Sequence, residues 1–420
     1  AGQTYLIFGK PDGWAMRTSL SDVDASFVGE EREDWSGVTL SGAGDVNGDG
    51  YDDFLIGSFT FGPDFPDIKD HIGRVYLIFG KPDGWAMRTS LSEADVIYYG
   101  PVSKDWSGLA LAGAGDVNSD GCDDFLIAAH WKDENWIDVS KVYLIFGTPE
   151  GWEKRVPMSE SNVTFVASGW FAISGSWGLQ HSWSVSGAGD VNGDGYDDIL
   201  IGAAWDEEGG KEAGQTYLVF GRPGGLGGHV EIDILQGADA SFIGEHPGYW
   251  SGFRVCGGAD VNGDGYDDIL IGASWSGHGG ARAGETYLIY GKPNGWTKGV
   301  NLSQADISFL GEEPGDRSGY AISNTGDVNG DGCDDILIGV DLNSFSAERA
   351  GQTYLQCREE RKGDVNFNGL VNVADVVLTV NILIRLVDAP PGQMWAADFN
   401  SDGTINVLDI VQIINIILED

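Results

Sequence analysis

The chain has 420 residues, with 24 Lys plus Arg against 65 Asp plus Glu and a formal net charge of -41. That balance repels phosphate backbones and anionic lipid surfaces, which excludes nucleic acid as a partner and makes cations the expected one. Glycine stands at 65 positions and 42% of residues are apolar, so the chain turns often yet buries surface, and its length exceeds what one ordinary core serves.

No apolar run reaches the roughly 18–20 residues a membrane span needs, because the most hydrophobic stretch, 404–418, is interrupted by Asn406, Asp409, Gln412 and Asn415. Membrane insertion is therefore not expected. Four cysteines without C-x-x-C spacing give neither a disulfide scaffold nor a zinc ribbon. The start at Ala1, without a basic-then-apolar leader, fits a mature form from which a signal peptide was removed.

In chain order, the first predicted strand is GQTYLIFG at 2–9, followed by a strand at 25–29. A unit then begins that recurs five times: a small-residue strand such as 38–42, an acidic loop, an apolar run such as 54–57, a strand such as 75–79 and another such as 96–99. The acidic loops are DVNGDGYDD at 45–53, DVNSDGCDD at 116–124, DVNGDGYDD at 190–198 and 260–268, and DVNGDGCDD at 327–335, with starts 71, 74, 70 and 67 residues apart. Apolar runs of four or five residues bounded by Gly, Pro or Asp read as strands, and a period near 70 accommodates four of them, as in a propeller blade. The fold expected is an all-β propeller of five four-stranded blades. The GQTYL strand recurs six times, ending at 351–357, so one copy is surplus; ring closure would use the N-terminal strands to finish the blade begun at Gly319. The extra copy then lies as an outer strand, or adds to a neighbouring molecule's blade.

After a linker at 358–362 the glycine-rich β pattern stops. Residues 363–420 carry two related loop-then-helix segments whose leading Asp364 and Asp398 stand 34 apart, separated by a linker containing Pro390 and Pro391. The division expected is thus a β domain over 1–357 and a small α module of two calcium loop-helix repeats over 363–420.

A hard dication takes six to eight oxygens, and a tight loop supplies them with carboxylates or amides at alternate positions and a glycine at the sharp turn. The first loop does so with Asp45, Asn47, Asp49, the Tyr51 carbonyl and Asp53 at positions 1, 3, 5, 7 and 9, and Gly50 at position 6. The same register gives Asp116, Asn118, Asp120, Cys122 and Asp124; Asp190, Asn192, Asp194, Tyr196 and Asp198; Asp260, Asn262, Asp264, Tyr266 and Asp268; and Asp327, Asn329, Asp331, Cys333 and Asp335. Cys122 and Cys333 offer only their carbonyls, and the Asp at position 8 points away. The tail offers Asp364, Asn366, Asn368, Leu370 through its carbonyl, Asn372 and Asp375, then Asp398, Asn400, Asp402, Thr404 through its carbonyl, Asn406 and Asp409, an EF-hand-like set with Asp at position 12. The first tail loop has only two carboxylates and is the weaker. Calcium, up to seven ions, is preferred over magnesium because the cage is all protein oxygen, and over zinc because no His or Cys side chain is offered. Without metal these carboxylates repel, so folding and calcium binding are coupled, and a calcium requirement points outside the cytosol.

The repeated GAGDVNGDGYDDILIGA pattern resembles the FG-GAP repeat of integrin alpha-subunit propellers and related bacterial proteins, over roughly 1–357. The integrin ring has seven blades, where five loops stand here. The tail resembles a dockerin, which implies a calcium-dependent module that binds cohesin domains in bacterial extracellular assemblies. Dockerin recognition often uses a hydroxyl pair at loop positions 10 and 11; here those positions are Val373, Ala374 and Val407, Leu408. Apolar residues cover more than one face of both tail helices, more than two helices bury between them, so part of that surface meets the β domain or a partner.

No catalytic or cofactor-binding constellation stands out, because the six histidines (His71, His130, His181, His229, His246 and His278) share no motif and the paired Asp residues are used by the loops. Trp14, Trp85, Trp152 and Trp296 follow a Pro-x-Gly turn and Trp35, Trp106, Trp183 and Trp250 precede the first strand, positions that suit packing; Trp131, Trp136, Trp170 and Trp177 fall outside that pattern and are the better sugar-stacking candidates. Asn162 with Thr164 and Asn301 with Ser303 form glycosylation sequons. The reading is a secreted, calcium-stabilised, non-catalytic surface or matrix scaffold whose tail joins it to another protein, cohesin-like or another copy of itself, with fibres as one outcome. The alternative is a glycan-binding propeller tethered by its tail.

Overall fold

The computed structural model describes all residues except 12, 14, 15, 32, 33, 59–71, 101–105, 133–137, 167–182, 227–229, 331, 343–350, 357–362, 364, 366–370, 372, 387–393, 395, 401, 402 and 420. β1 (Gln3–Leu6) and β2 (Ala25–Val28) form an antiparallel pair. The first full repeat follows as β3 (Thr39–Gly44), β4 (Asp53–Ser58), β5 (Arg74–Ile78), a short β6 (Thr89–Ser90) and β7 (Val96–Tyr99). The second is β8 (Ala110–Gly115), β9 (Asp124–Lys132), β10 (Asp138–Ile145), β11 (Arg155–Pro157) and β12 (Val163–Val166). The third is β13 (Trp183–Gly189), β14 (Asp198–Ala203), β15 (Gln215–Val219), β16 (Val230–Asp233), the single turn α1 (Ile234–Gly237) and β17 (Ala240–Ile243). The fourth is β18 (Arg254–Ala259), β19 (Asp268–Ala273), β20 (Glu285–Ile289), β21 (Val300–Asn301) and β22 (Ile307–Leu310), and the fifth is β23 (Ser318–Gly326), β24 (Asp335–Val340) and β25 (Gln352–Gln356).

Within a repeat the strands form an antiparallel meander, for example β3 with β4, β4 with β5 and β5 with β7. The second strands are continuous apolar runs rather than alternating ones because both of their faces are covered: every residue of β19, Asp268 to Ala273, is buried. The first strands β3, β8, β13, β18 and β23 pack against one another in that order, and the cores lie between successive sheets. Leu55, Leu77 and Val96 of one sheet meet Phe125, Ile127 and Tyr143 of the next, and Leu200 and Leu218 meet Ile269, Ile271 and Tyr287. This is a propeller-like stacking of β units.

The blades differ from the four-stranded expectation in a specific way. The segment joining the third and fourth strands reaches back to the preceding sheet and adds a short parallel strand there: β6 on β2, β11 on β7, β16 on β12 and β21 on β17. Three sheets therefore have five strands.

Closure through the N-terminus also differs, since six sheets form and, among the described residues, no ladder joins β1 or β2 to β24 or β25. The last copy of the GQTYL strand, β25, is the one that pairs with β24: Leu337 pairs with Leu355 and Ile338 with Tyr354. β2 in turn has β1 on one side and β6 on the other.

The tail carries α2 (Val373–Leu383) and α3 (Val407–Glu419), which pack on each other around Val365, Ile382, Ala396, Ala397 and Ile413. Both lack Gly and Pro, and each begins with an acidic residue in its first turn, Asp375 and Asp409, where the helix dipole favours one. Among the described residues no helix is long and apolar enough to cross a membrane.

Candidate metal centres

Each acidic loop joins the first strand of a repeat to the second. β3 ends in a bulge at Gly44, whose φ of 76° only glycine adopts readily, and the chain then coils tightly before Asp53 starts β4. The loop is organised around its own carboxylates: Asp45 Oδ1 accepts from the Asp49 amide at 3.0 Å, Asp45 Oδ2 from Gly50 at 2.8 Å, Asn47 Oδ1 from Asp49 at 2.9 Å and Asp49 Oδ1 from Tyr51 at 3.0 Å. Asp53 fastens the far end, accepting from Val46 at 3.1 Å and from Gly80, after the third strand, at 2.7 Å.

The same bonds recur around Asp116, Asp120 and Asp124, around Asp190, Asp194 and Asp198, and around Asp260, Asn262, Asp264 and Asp268. In the fifth loop Asp327 accepts from Gly330 and Gly332, and Asp335 from Val328 at 2.9 Å and from the Asn329 amide at 3.4 Å. Asn192 likewise turns its amide to Asp198, at 3.5 Å. Asp331 lies outside the described residues.

The electrostatics favour a cation. Burial pushes the position-9 carboxyls up, Asp53 to about 7 and Asp124, Asp198 and Asp268 to about 8; backbone amides oppose this, while the loop's other carboxylates add to it. Asn118 is buried, and its side-chain oxygen has no hydrogen-bond partner, an orphaned acceptor at loop position 3, where a cation ligand is expected. These oxygen sets fit a hard dication.

The Asp at position 8 turns away from its own loop, and the structure shows where it goes. Asp123 Oδ2 accepts from the Asp45 amide at 2.8 Å, and the Asp123 amide donates to the Asp45 carbonyl at 3.1 Å. Asp197 does the same for Asp116, Asp267 for Asp190 and Asp334 for Asp260, so each of the first four loops is latched to the next repeat. A Cβ on Gly44, Gly115 or Gly189 would stand 2.1 Å from the latching carboxylate. Position 7 joins the same contact: Cys122 packs against Gly48, as Tyr266 packs against Gly193. The two cysteines thus stand in for tyrosine; Cys122 and Cys333 are both buried.

In the tail, Asp364, Asn366, Asn368, Leu370, Asn372 and Asp402 lie outside the described residues. The others of the second loop come together at the start of α3. Asp409 is fully buried and accepts from the Asn400 amide at 3.1 Å and the Asn406 amide at 2.9 Å, while Asp398 accepts from Gly403 at 2.9 Å. Asn406 caps α3, its oxygen accepting from Leu408 at 2.8 Å, and its amide donates to the Thr404 carbonyl at 2.9 Å. Asp375 is also fully buried.

The Pro-x-Gly tryptophans pack as expected. The Trp85 indole donates to the Lys81 carbonyl and its ring meets Phe8, Phe27 and Phe54; Trp152 and Trp296 repeat the indole bond and meet Phe79, and Phe220 with Phe242. Trp250 stacks on Trp275 with ring centroids 4.2 Å apart. Trp14, Trp136, Trp170 and Trp177 lie outside the described residues, as does the side chain of Trp131. The Asn162 oxygen is already engaged with the Phe146 amide at 2.9 Å, the bond Asp95 makes to Phe79 and Asp239 to Phe220.

The dockerin type I domain matches residues 362–418, and the FG-GAP repeat matches 182–219, 251–289 and 318–355, each match running from a first strand through its acidic loop to a third strand. Similar curated proteins include Integrin alpha pat-2 of Caenorhabditis briggsae, 31% identical over 56% of this chain and 18% of the relative, and Integrin alpha-PS2 of Drosophila melanogaster, 30% identical over 63% and 16%. Phosphatidylinositol-glycan-specific phospholipase D of Bos taurus is 30% identical over 52% of this chain and 24% of the relative. The chain spans less than a quarter of the length of these relatives.

Proposed function

We propose that this chain, which carries FG-GAP repeats and a C-terminal dockerin type I domain, is an extracellular, calcium-stabilised, non-catalytic scaffold or adhesion protein. The repeats, over 1–357, form the rigid body, and the dockerin domain, over 363–420, docks onto another protein. Calcium binding follows from the dockerin domain, and the repeat loops add five further sites, for up to seven ions in all.

The observation that carries this reading is the apolar surface left open on the dockerin helices. Val373, Val407 and Leu408 are 65%, 63% and 62% exposed at loop positions 10 and 11, and Val377, Val411 and Leu418 continue the exposed apolar surface. Solvent-facing apolar side chains at this density mark a protein-binding face. An apolar face there selects a partner surface that is itself apolar, rather than one that hydrogen-bonds a hydroxyl pair.

The test immobilises the full chain and measures binding of cohesin domains, and of the chain itself, in calcium and in chelator. Calcium-dependent binding that is lost in a Val407→Asp, Leu408→Asp variant supports the proposal. Binding that is indifferent to both calcium and the substitution overturns it. Self-association has its own support, because among the described residues β25 pairs only with β24. An unpaired strand edge is a template for another chain.

A further inference from the structure

The histidines, which share no sequence motif, include two that meet in space. His246 follows β17 and His278 lies in the turn after β19, and their rings stand 5.5 Å apart between adjacent repeats. One donor atom from each of Glu245, His246 and His278 falls within 4.8 Å of the other two. Glu245 is the half-buried member, while both imidazoles reach solvent.

His278 is oriented from behind. Its Nδ1 lies 2.9 Å from Oε2 of the buried Glu285, which also accepts from Ser276 Oγ at 2.8 Å and from the Tyr287 hydroxyl at 3.0 Å. With Nδ1 held against that carboxylate, Nε2 is the ring nitrogen left to meet a ligand. Nε2 faces the Glu245 carboxylate at 3.6 Å. A ring nitrogen set toward a carboxylate oxygen, with a second imidazole alongside, gathers three donors of the kind a divalent ion binds. The buried carboxylate behind a histidine is the arrangement that orients metal-ligating imidazoles.

The set is particular to this pair of repeats. In the next repeat Glu313 stands where His246 does, and in the preceding one Glu208 and Gln215 stand where His278 and Glu285 do. The two imidazoles and the carboxylate behind one of them therefore occur together at a place where the neighbouring repeats have other side chains.

We propose that Glu245, His246 and His278 bind a divalent transition-metal ion of the zinc class, with Glu285 holding His278 as a positioning residue. Two imidazole nitrogens and one carboxylate suit such an ion and not calcium, which the all-oxygen loops take. Three protein ligands leave a coordination position for water.

The experiment titrates zinc, and separately cobalt(II), into the full calcium-saturated chain. One ion beyond those bound by a His246→Ala, His278→Ala double variant is expected, with cobalt giving visible ligand-field absorption. Glu285→Gln is expected to weaken zinc about 10–100-fold while leaving the stoichiometry at one. Calcium content and far-ultraviolet circular dichroism verify that the variants are folded. If they are not, NMR of the unsubstituted chain decides, since cobalt must shift the His246 and His278 imidazole resonances. Equal zinc uptake by wild type and folded double variant, or unshifted imidazole resonances, overturns the proposal.

Discussion

The Asp45 amide donates to the Asp123 carboxylate at 2.8 Å, and the Asp123 amide returns a bond of 3.1 Å to the Asp45 carbonyl. The first residue of one acidic loop is thus fixed by the eighth residue of the next, 78 positions along the chain. Ordering a loop and aligning two repeats are therefore coupled.

Asp123→Ala is expected to destabilise the calcium-loaded chain by about 1.5–3 kcal/mol, the worth of a hydrogen bond to a charged group. Gly44→Ala should cost at least as much, since its φ of 76° is strained for any side chain and the new methyl meets the same carboxylate. Denaturant unfolding measures both. A double variant less destabilised than the sum of the two would show that they act on one contact.

Much of the site is legible in the sequence, for a physical reason. A dication dictates oxygen donors at alternate positions, so Asp45, Asn47, Asp49 and Asp53 mark a candidate loop by spacing alone, and the structure gathers them in one tight turn. The position-8 latch is not legible, because its partner lies a whole repeat away and a backbone amide carries no sequence mark. The parallel additions β6, β11, β16 and β21 escape for a similar reason, being two to four residues long with no periodicity of their own. Asn162 shows the converse: its sequon reads as a surface modification site, yet its side chain does the structural work of Asp95 and Asp239. His246 and His278 become neighbours only once adjacent repeats stack.

Calcium should abolish a pH dependence that the metal-free chain shows. Asp124, Asp198 and Asp268 keep their protons to about 8 in the metal-free fold and Asp53 to about 7, against about 4 when unfolded. The native state then binds more protons between those values, so stability of the calcium-free chain falls as pH rises from about 4 to about 8. With calcium saturating, the ionised carboxylate is the ligand, neither state takes up protons above about pH 5, and that fall disappears. Melting temperatures at pH 5 and pH 8, with calcium and with chelator, check this; parallel slopes would contradict it.

Trp85→Ala is expected to cost about 1.5–3 kcal/mol, because its ring fills the space between Phe8, Phe27 and Phe54. The substitution should leave any sugar response of tryptophan fluorescence unchanged. Loss of a sugar response would place Trp85 in a ligand site instead of the core.

In the dockerin domain, Ile413→Ala and Leu418→Ala separate core from surface. Ile413 is fully buried, and its truncation should cost about 2–5 kcal/mol. Leu418 is 77% exposed, and its truncation should leave stability within about 0.5 kcal/mol. Thermal unfolding of the two variants reads the difference directly.

The central claim, that calcium fills the repeat loops and holds the array together, is tested most directly by calorimetric titration of calcium into the chelated chain. The account predicts at least five equivalents bound, with a matching rise in melting temperature. Two equivalents or fewer, with no change in melting temperature, would confine calcium to the dockerin domain and contradict it.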